Sequence, residues 1–210
     1  MEAPTVNQSL KHPDQHRRLL TLQLFAIIAG LSLLFAEPAI NEASMAHEII
    51  ELAGLGLLMA CVVGRLWCIL YIGGKKNREL ISMGPFSMSR NPLYFFSTVG
   101  AFGAGLVFGS ILAAVVAGIA TYMILNAAAR SESNYLAASF GHEYHAYATR
   151  TPRFWPNPFR YRDEKQWLFS PPALRRNLFD GLYFLTLFPV FEMLEYLRES
   201  GLLPVMFKVY

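Results

Sequence analysis

The chain has 210 residues, 54% of them hydrophobic and only 16% charged, with a formal net charge of +3 at pH 7. That balance departs from a soluble domain towards a membrane protein, and so small a charge gives no argument for nucleic acid as a partner. Cys61 and Cys68 stand in one apolar stretch, roughly 10 Å apart along a helix axis, which is too far for a disulfide, and their spacing is not that of a metal site.

Residues 1 to 16 are polar and contain Pro4 and Pro13, an irregular or interfacial lead. From Leu19 to Ala36 no charge occurs, and the flanks are Arg17-Arg18 and Glu37-Pro38. This stretch suits a first spanning helix. It is too long, and lacks a small-residue cleavage site, for a removable signal. A second helix is expected from about Ala46 to Ile72, with Arg65 as its interior charge and some tilt to fit its length. The charged residues Lys75, Lys76, Arg78 and Glu79 then lead into Gly84 to Phe96, GPFSMSRNPLYFF. Pro85 and Pro92 fix φ there and bias Gly84 and Asn91 towards extended geometry, which predicts a rigid polar loop held out of helix.

No charge follows until Arg130. Leu93 to Gly109 and Ile111 to Ala129 read as a tight helical hairpin turning at Phe108-Gly109-Ser110. Gly100, Gly103, Gly105 and Gly109 crowd its first arm, and such small residues let helices approach closely in lipid. Ser131 to Arg150 reads as a helix outside the bilayer, ended by Thr151-Pro152. A last apolar segment, about Leu178 to Leu197, contains Asp180, Pro189, Glu192 and Glu195, and is read as spanning rather than interfacial. The fold expected is an all-α integral membrane protein with about five transmembrane helices, the hairpin among them, plus a cytoplasmic helix. It forms one membrane domain: two spanning helices over 1 to 72, a core over 73 to 157, and a C-terminal extension over 158 to 210.

Basic residues cluster at Lys11 to Arg18, at Lys75 to Arg90 and at Arg130 to Arg176, whereas the links at 37 to 48 and 108 to 110 carry none. By the positive-inside rule the N-terminus and both basic loops are cytoplasmic and face each other. Walker, HExxH, GxSxG and paired CxxC motifs are missing, and no GxGxxG follows a strand pattern, which sets aside a soluble nucleotide-binding domain. What remains is a pair of polar stretches, one on each side of the hairpin. The hairpin returns Arg130 to Glu132 to the membrane face that holds Arg90 to Tyr94.

In this chain Gly84-Pro85-Phe86 is followed by Arg90-Asn91-Pro92-Leu93-Tyr94, then the hairpin, then Glu132 eight residues before Phe140-Gly-His-Glu-Tyr-His-Ala-Tyr147. The pattern covers about residues 54 to 157. It resembles the isoprenylcysteine carboxyl methyltransferase and phospholipid methyltransferase superfamily, integral membrane enzymes that use S-adenosyl-L-methionine (SAM). The resemblance implies a cofactor pocket made of Arg78, Glu79, Leu80, Ile81, Phe86, Asn91, Pro92, Leu93, Tyr94 and Glu132, with no metal. Phe86 and Tyr94 would flank the adenine, and Glu132 would take the ammonium or the ribose hydroxyls. Arg90 and Arg130 would act on the acceptor, orienting an anionic group on a lipid or lipidated molecule that enters from the bilayer.

Three positions depart from the superfamily pattern. Asn91 stands where many members have His, Ser133 where a second acid often follows, and Ala128 where carboxyl-methylating members carry Arg. Gly54-Leu55-Gly56 is similar to the GxG of phospholipid N-methyltransferases. Carboxyl methylation, ethanolamine N-methylation, an NADPH-dependent reductase of sterol-reductase type and a non-catalytic scaffold therefore all stay open. Each residue also has a plainer reading: Arg90 as a phosphate-level anchor, Tyr94 to Phe96 as an interfacial aromatic belt, Glu132 as a solvated acid, and His142 and His145 as solvent-facing.

Overall fold

The computed structural model describes residues 44–74, 79–165, 167–202 and 207–209, together with 36–38 and helical positions at Leu20, Thr21, Gln23, Leu24, Ile28, Gly30 and Ser32. Those helical positions fall within the first expected span, whose other residues lie outside the described ones. Six α-helices follow: α1 Met45–Ile72, α2 Pro85–Met88, α3 Pro92–Val107, α4 Ile111–Arg150, α5 Pro171–Leu185 and α6 Leu187–Glu199. A 3-10 turn occupies Pro158–Arg160. The strands β1, Ala36–Pro38, and β2, Phe207–Val209, pair in parallel, a small departure from the all-α expectation.

Among the described residues three helical stretches are long and apolar enough to cross a membrane, namely Met45–Ile72, Ile111–Arg150 and Pro171–Arg198, and Pro92–Val107 is a shorter apolar helix. Their outward faces carry Ile49, Leu52, Met59 and Val63 on α1 and Leu112, Val116, Ile119 and Met123 on α4, all exposed. Small residues face inward instead, as expected where lipid is as apolar as the side chains and close backbone approach supplies the attraction.

The interface of α1 with α3 shows this in detail. A Cβ on Gly54 would lie 2.6 Å from the Val107 nitrogen and 2.7 Å from the Gly103 oxygen, and a Cβ on Gly103 would lie 2.9 Å from the Leu57 Cβ. Gly105 turns the other way, against the backbone of Ala113 and Ala114 on α4. Gly56, by contrast, has nothing within 4 Å among the described residues. The first glycine of the Gly54-Leu55-Gly56 sequence is therefore a packing residue, and the second makes no such contact among them. Ser44 caps α1 by accepting a hydrogen bond from the His47 amide at 3.3 Å, and Ser110 caps α4 by accepting from the Ala113 amide at 3.0 Å.

Two boundaries differ from the sequence reading. The second hairpin arm and the helix outside the bilayer are not separate elements meeting at Arg130. They form the single helix α4, which bends at Gly141, where φ is 49° and ψ is −123°. The last segment starts earlier than Leu178 and divides at Thr186 into α5 and α6. Pro189 accounts for the division, since it lacks the N–H that would bond to the Leu185 carbonyl.

The chain after α4 is tied back to the end of α1. Asp163 accepts from the Tyr71 hydroxyl at 2.8 Å and from the Tyr161 hydroxyl at 2.7 Å, and the Trp167 indole donates to the Tyr71 carbonyl at 3.2 Å. These hydrogen bonds, that from Tyr161 foremost, hold the Asp163 carboxyl below its ordinary value of 3.8. A depressed carboxylate stabilises the fold only while it is ionised. We expect the thermal-midpoint advantage of the native chain over Asp163→Asn to be intact above pH 3.8 and to disappear as pH falls below it. In detergent, Gly54→Ala is expected to lower stability by about 1–3 kcal/mol through overpacking, whereas Gly56→Ala should stay within about 0.5 kcal/mol of the native chain.

Candidate functional site

The polar loop between α1 and α3 contains one turn of helix that the sequence reading did not include. With Pro85 at its first position, where a missing N–H costs nothing, α2 closes over Pro85–Met88. Gly84 is not extended, as its place before a proline suggests, but has φ 58° and ψ −135°. Its missing side chain lets the Tyr71 ring lie directly against it.

Partners for this loop come from the chain after α4. The Gly84 amide donates to the Arg162 carbonyl at 2.7 Å, the Arg90 amide to the Pro152 carbonyl at 2.9 Å, and the Asn157 amide to the Met88 carbonyl at 3.0 Å. The Ser89 hydroxyl donates to the Phe154 carbonyl at 2.8 Å, and the Asn91 side-chain amide to the Arg153 carbonyl at 3.0 Å. Asn91, standing where a titratable His is common in the superfamily, thus serves as a backbone tie.

The bend at Gly141 turns the end of α4 onto the same loop. Beyond it the buried Tyr147 hydroxyl donates to the Phe86 carbonyl at 2.7 Å, and the Arg90 guanidinium donates to the Tyr144 hydroxyl at 3.1 Å. The Arg90 guanidinium carbon also lies 5.9 Å from the centre of the Tyr144 ring, and its Nε is buried without a hydrogen-bond partner among the described residues.

Between loop and helix lies a cleft of about 80 Å³. Of the residues singled out in the sequence, Glu79, Leu80, Ile81, Phe86, Arg90, Asn91, Leu93, Tyr94 and Glu132 line it. Pro92 does not, being fully buried as the first residue of α3. Arg130 is exposed and does not line the cleft, because it precedes Glu132 by two positions and so points to another side of α4. Arg78 lies outside the described residues. Ile72, Tyr135, Leu136, Tyr144 and Tyr147 also line the cleft but were not singled out as site residues, nor was Ser133, noted only as a missing acid. The two tyrosines stand in the Phe140-to-Tyr147 stretch, which pointed to them, whereas Tyr135 and Leu136 are found only by following α4 one turn from Glu132. His142 and His145 are exposed. Among the described residues no group of three or more His, Cys, Asp or Glu could hold a metal ion.

The lining suits a zwitterionic nucleoside. Phe86, Leu93, Tyr94 and Leu136 offer apolar and aromatic surface, Glu79 and Glu132 offer carboxylates, and the buried Nε of Arg90 offers an unused donor. The present space is below the roughly 300 Å³ at which small-molecule sites begin, so binding requires the walls to part.

A family profile for phospholipid methyltransferase matches residues 65–143, from the C-terminal half of α1 to just past the Gly141 bend. The cobalt-zinc-cadmium resistance protein CzcN of Cupriavidus metallidurans is 36% identical over 172 residues, covering 82% of this chain and 79% of that protein. The nickel-cobalt-cadmium resistance protein NccN of Alcaligenes xylosoxydans xylosoxydans is 36% identical over 188 residues, covering 90% of this chain and 84% of that protein. No solved structure matches significantly. Since Tyr147 satisfies a buried carbonyl of α2, Tyr147→Phe is expected to cost about 1–3 kcal/mol in detergent unfolding.

Proposed function

The chain belongs to the phospholipid methyltransferase family, within the superfamily it shares with the isoprenylcysteine carboxyl methyltransferases, and from that premise we propose that it is a SAM-dependent methyltransferase of the membrane. Its acceptor in this reading is a lipid or lipidated molecule that enters from the bilayer. The observation that carries the reading is the cleft in which residues of two distant stretches, Glu79 to Tyr94 and Glu132 to Tyr147, share one space.

In this proposal Phe86 and Tyr94 flank the adenine, and Glu132, with Glu79 nearby, takes the ammonium or the ribose hydroxyls. SAM when bound supplies a methyl group on a sulfonium, which is already a good leaving group and needs no metal. The protein's work is then to align the reactants and to keep water out. Arg90 has its backbone held by Pro152 and its guanidinium by Tyr144, so it presents a fixed cation at the cleft wall. It is the residue we assign to orienting an anionic part of the acceptor. Arg130, exposed on α4, takes the role of an inner-leaflet anchor. The basic loops, by the positive-inside rule, support a cytoplasmic position for the cleft.

Two acceptor chemistries make different demands. A carboxylate is ionised at pH 7 and needs only a cation to hold it, whereas an ethanolamine amine must first lose a proton to a base or in an apolar site. Ala128 in place of the arginine of carboxyl-methylating members speaks for the amine, while the single acid Glu132 speaks against the paired-acid N-methylating pattern. The names of CzcN and NccN suggest the setting, in which this chain would modify a membrane component of cells exposed to heavy-metal ions.

Purified protein in detergent, given labelled SAM, a total lipid extract and prenylcysteine analogues, is expected to pass label to one lipid class. Glu132→Ala should weaken SAM binding at least tenfold with the fold intact, and Arg130→Ala should leave it unchanged. Binding of NADPH in place of SAM would support a reductase, and binding of neither would support a scaffold.

A further inference from the structure

The polar loop has a second side. Away from the cleft, Ser82 and Ser87 line a separate cavity of about 250 Å³, completed by Arg150 and Thr151 at the end of α4, by Arg160 at the end of the 3-10 turn and by Arg162 beyond it. None of its lining residues lines the cleft. An adjoining cavity of about 290 Å³ shares Thr151 and Arg160 with it.

Charge and unused hydrogen-bonding capacity both concentrate here. Arg150, Arg160 and Arg162 are exposed, and their guanidinium groups have no hydrogen-bond or carboxylate partner among the described residues. Thr151 lines the same cavity, and its hydroxyl makes no hydrogen bond among the described residues. Asp163, the acid next to Arg162, is engaged by Tyr71 and Tyr161 and does not line the cavity. Three unpaired guanidinium groups brought to one hollow repel one another, and a polyvalent anion with several acceptor oxygens relieves that repulsion. A phosphate fits this best, because guanidinium forks match its oxygens two at a time and the threonine hydroxyl can donate one more bond.

We propose that Arg150, Thr151, Arg160 and Arg162 form a phosphate-binding site, distinct from the cleft and independent of the methyltransferase reading. The phosphate can be free in solution or part of a lipid headgroup. Phe159, which lines the rim and is 98% exposed, offers apolar surface for the latter. An anion held there would bridge the loop at Ser82 and Ser87 to the segment after α4.

The test titrates the full-length protein in uncharged detergent with inorganic phosphate and, separately, with dihexanoyl phosphatidate, at constant ionic strength set with chloride, and reads the thermal midpoint. A saturable rise is expected. Arg160→Gln and Arg162→Gln should each weaken it about tenfold, the factor that accompanies loss of one charge-assisted hydrogen bond. Lys165→Gln, outside the cavity, should not change it. Equal affinity for the two ligands would assign the site to a soluble anion, and tighter binding of phosphatidate to a headgroup; either supports the site. No saturable rise with either ligand, or a rise in both arginine variants at the same ligand concentrations as in the native chain, would overturn it. SAM binding plays no part in this readout, so its failure and the failure of the methyltransferase reading are separable.

Discussion

Between Gly84 and Asn91 the backbone forms only one short turn of helix and cannot satisfy its own polar groups. A loop in that condition needs partners supplied from elsewhere in the chain. Here the segment after α4 supplies them, through the carbonyls of Pro152, Arg153, Phe154 and Arg162, and the Tyr147 hydroxyl adds another bond at Phe86. Everything else about the site depends on this stitching. It fixes Arg90 between Pro152 and Tyr144, sets one wall of the cleft, and leaves the arginines of the far side gathered round Thr151.

The helical hairpin of α3 and α4 makes the stitching possible. The glycine contacts of α3 with α1, and of Gly105 with α4, bring the helices close enough for α4 to emerge beside the loop that precedes α3. A helix running straight on would carry Tyr144 and Tyr147 away from that loop. The bend at Gly141, in a region of φ and ψ that side-chain-bearing residues rarely adopt, turns them back. The same fold thus joins close packing of apolar helices to a polar site at their ends.

Much of this was readable in the residues. The hairpin showed itself as a long charge-free run broken at Phe108 to Ser110, and the stop at Thr151-Pro152 matches the observed cap of α4. Glu132 and most of the Glu79-to-Tyr94 residues singled out with it line one cleft, and they were singled out because the spacing of the two polar stretches matched a known pattern. The Gly141 bend was not readable, since a glycine in a helical stretch is more often tolerated than bent around, and its φ is set by tertiary contacts further along. Nor was the side of α4 on which Arg130 falls, because a charge next to an apolar run carries no helical phase of its own. The second basic cavity escaped for a similar reason. Its arginines lie in an irregular stretch whose path is dictated by hydrogen bonds to the loop rather than by any periodicity.

The central claim is that residues 79–94 and 132–147 together hold one molecule of SAM. Ultraviolet cross-linking of labelled SAM to the purified protein, followed by peptide mapping, addresses it most directly. The account predicts label on both stretches, at aromatic residues such as Phe86, Tyr94, Tyr135 or Tyr144, and its loss when unlabelled SAM competes. Label confined to one of the two stretches, or found elsewhere in the chain, would contradict it.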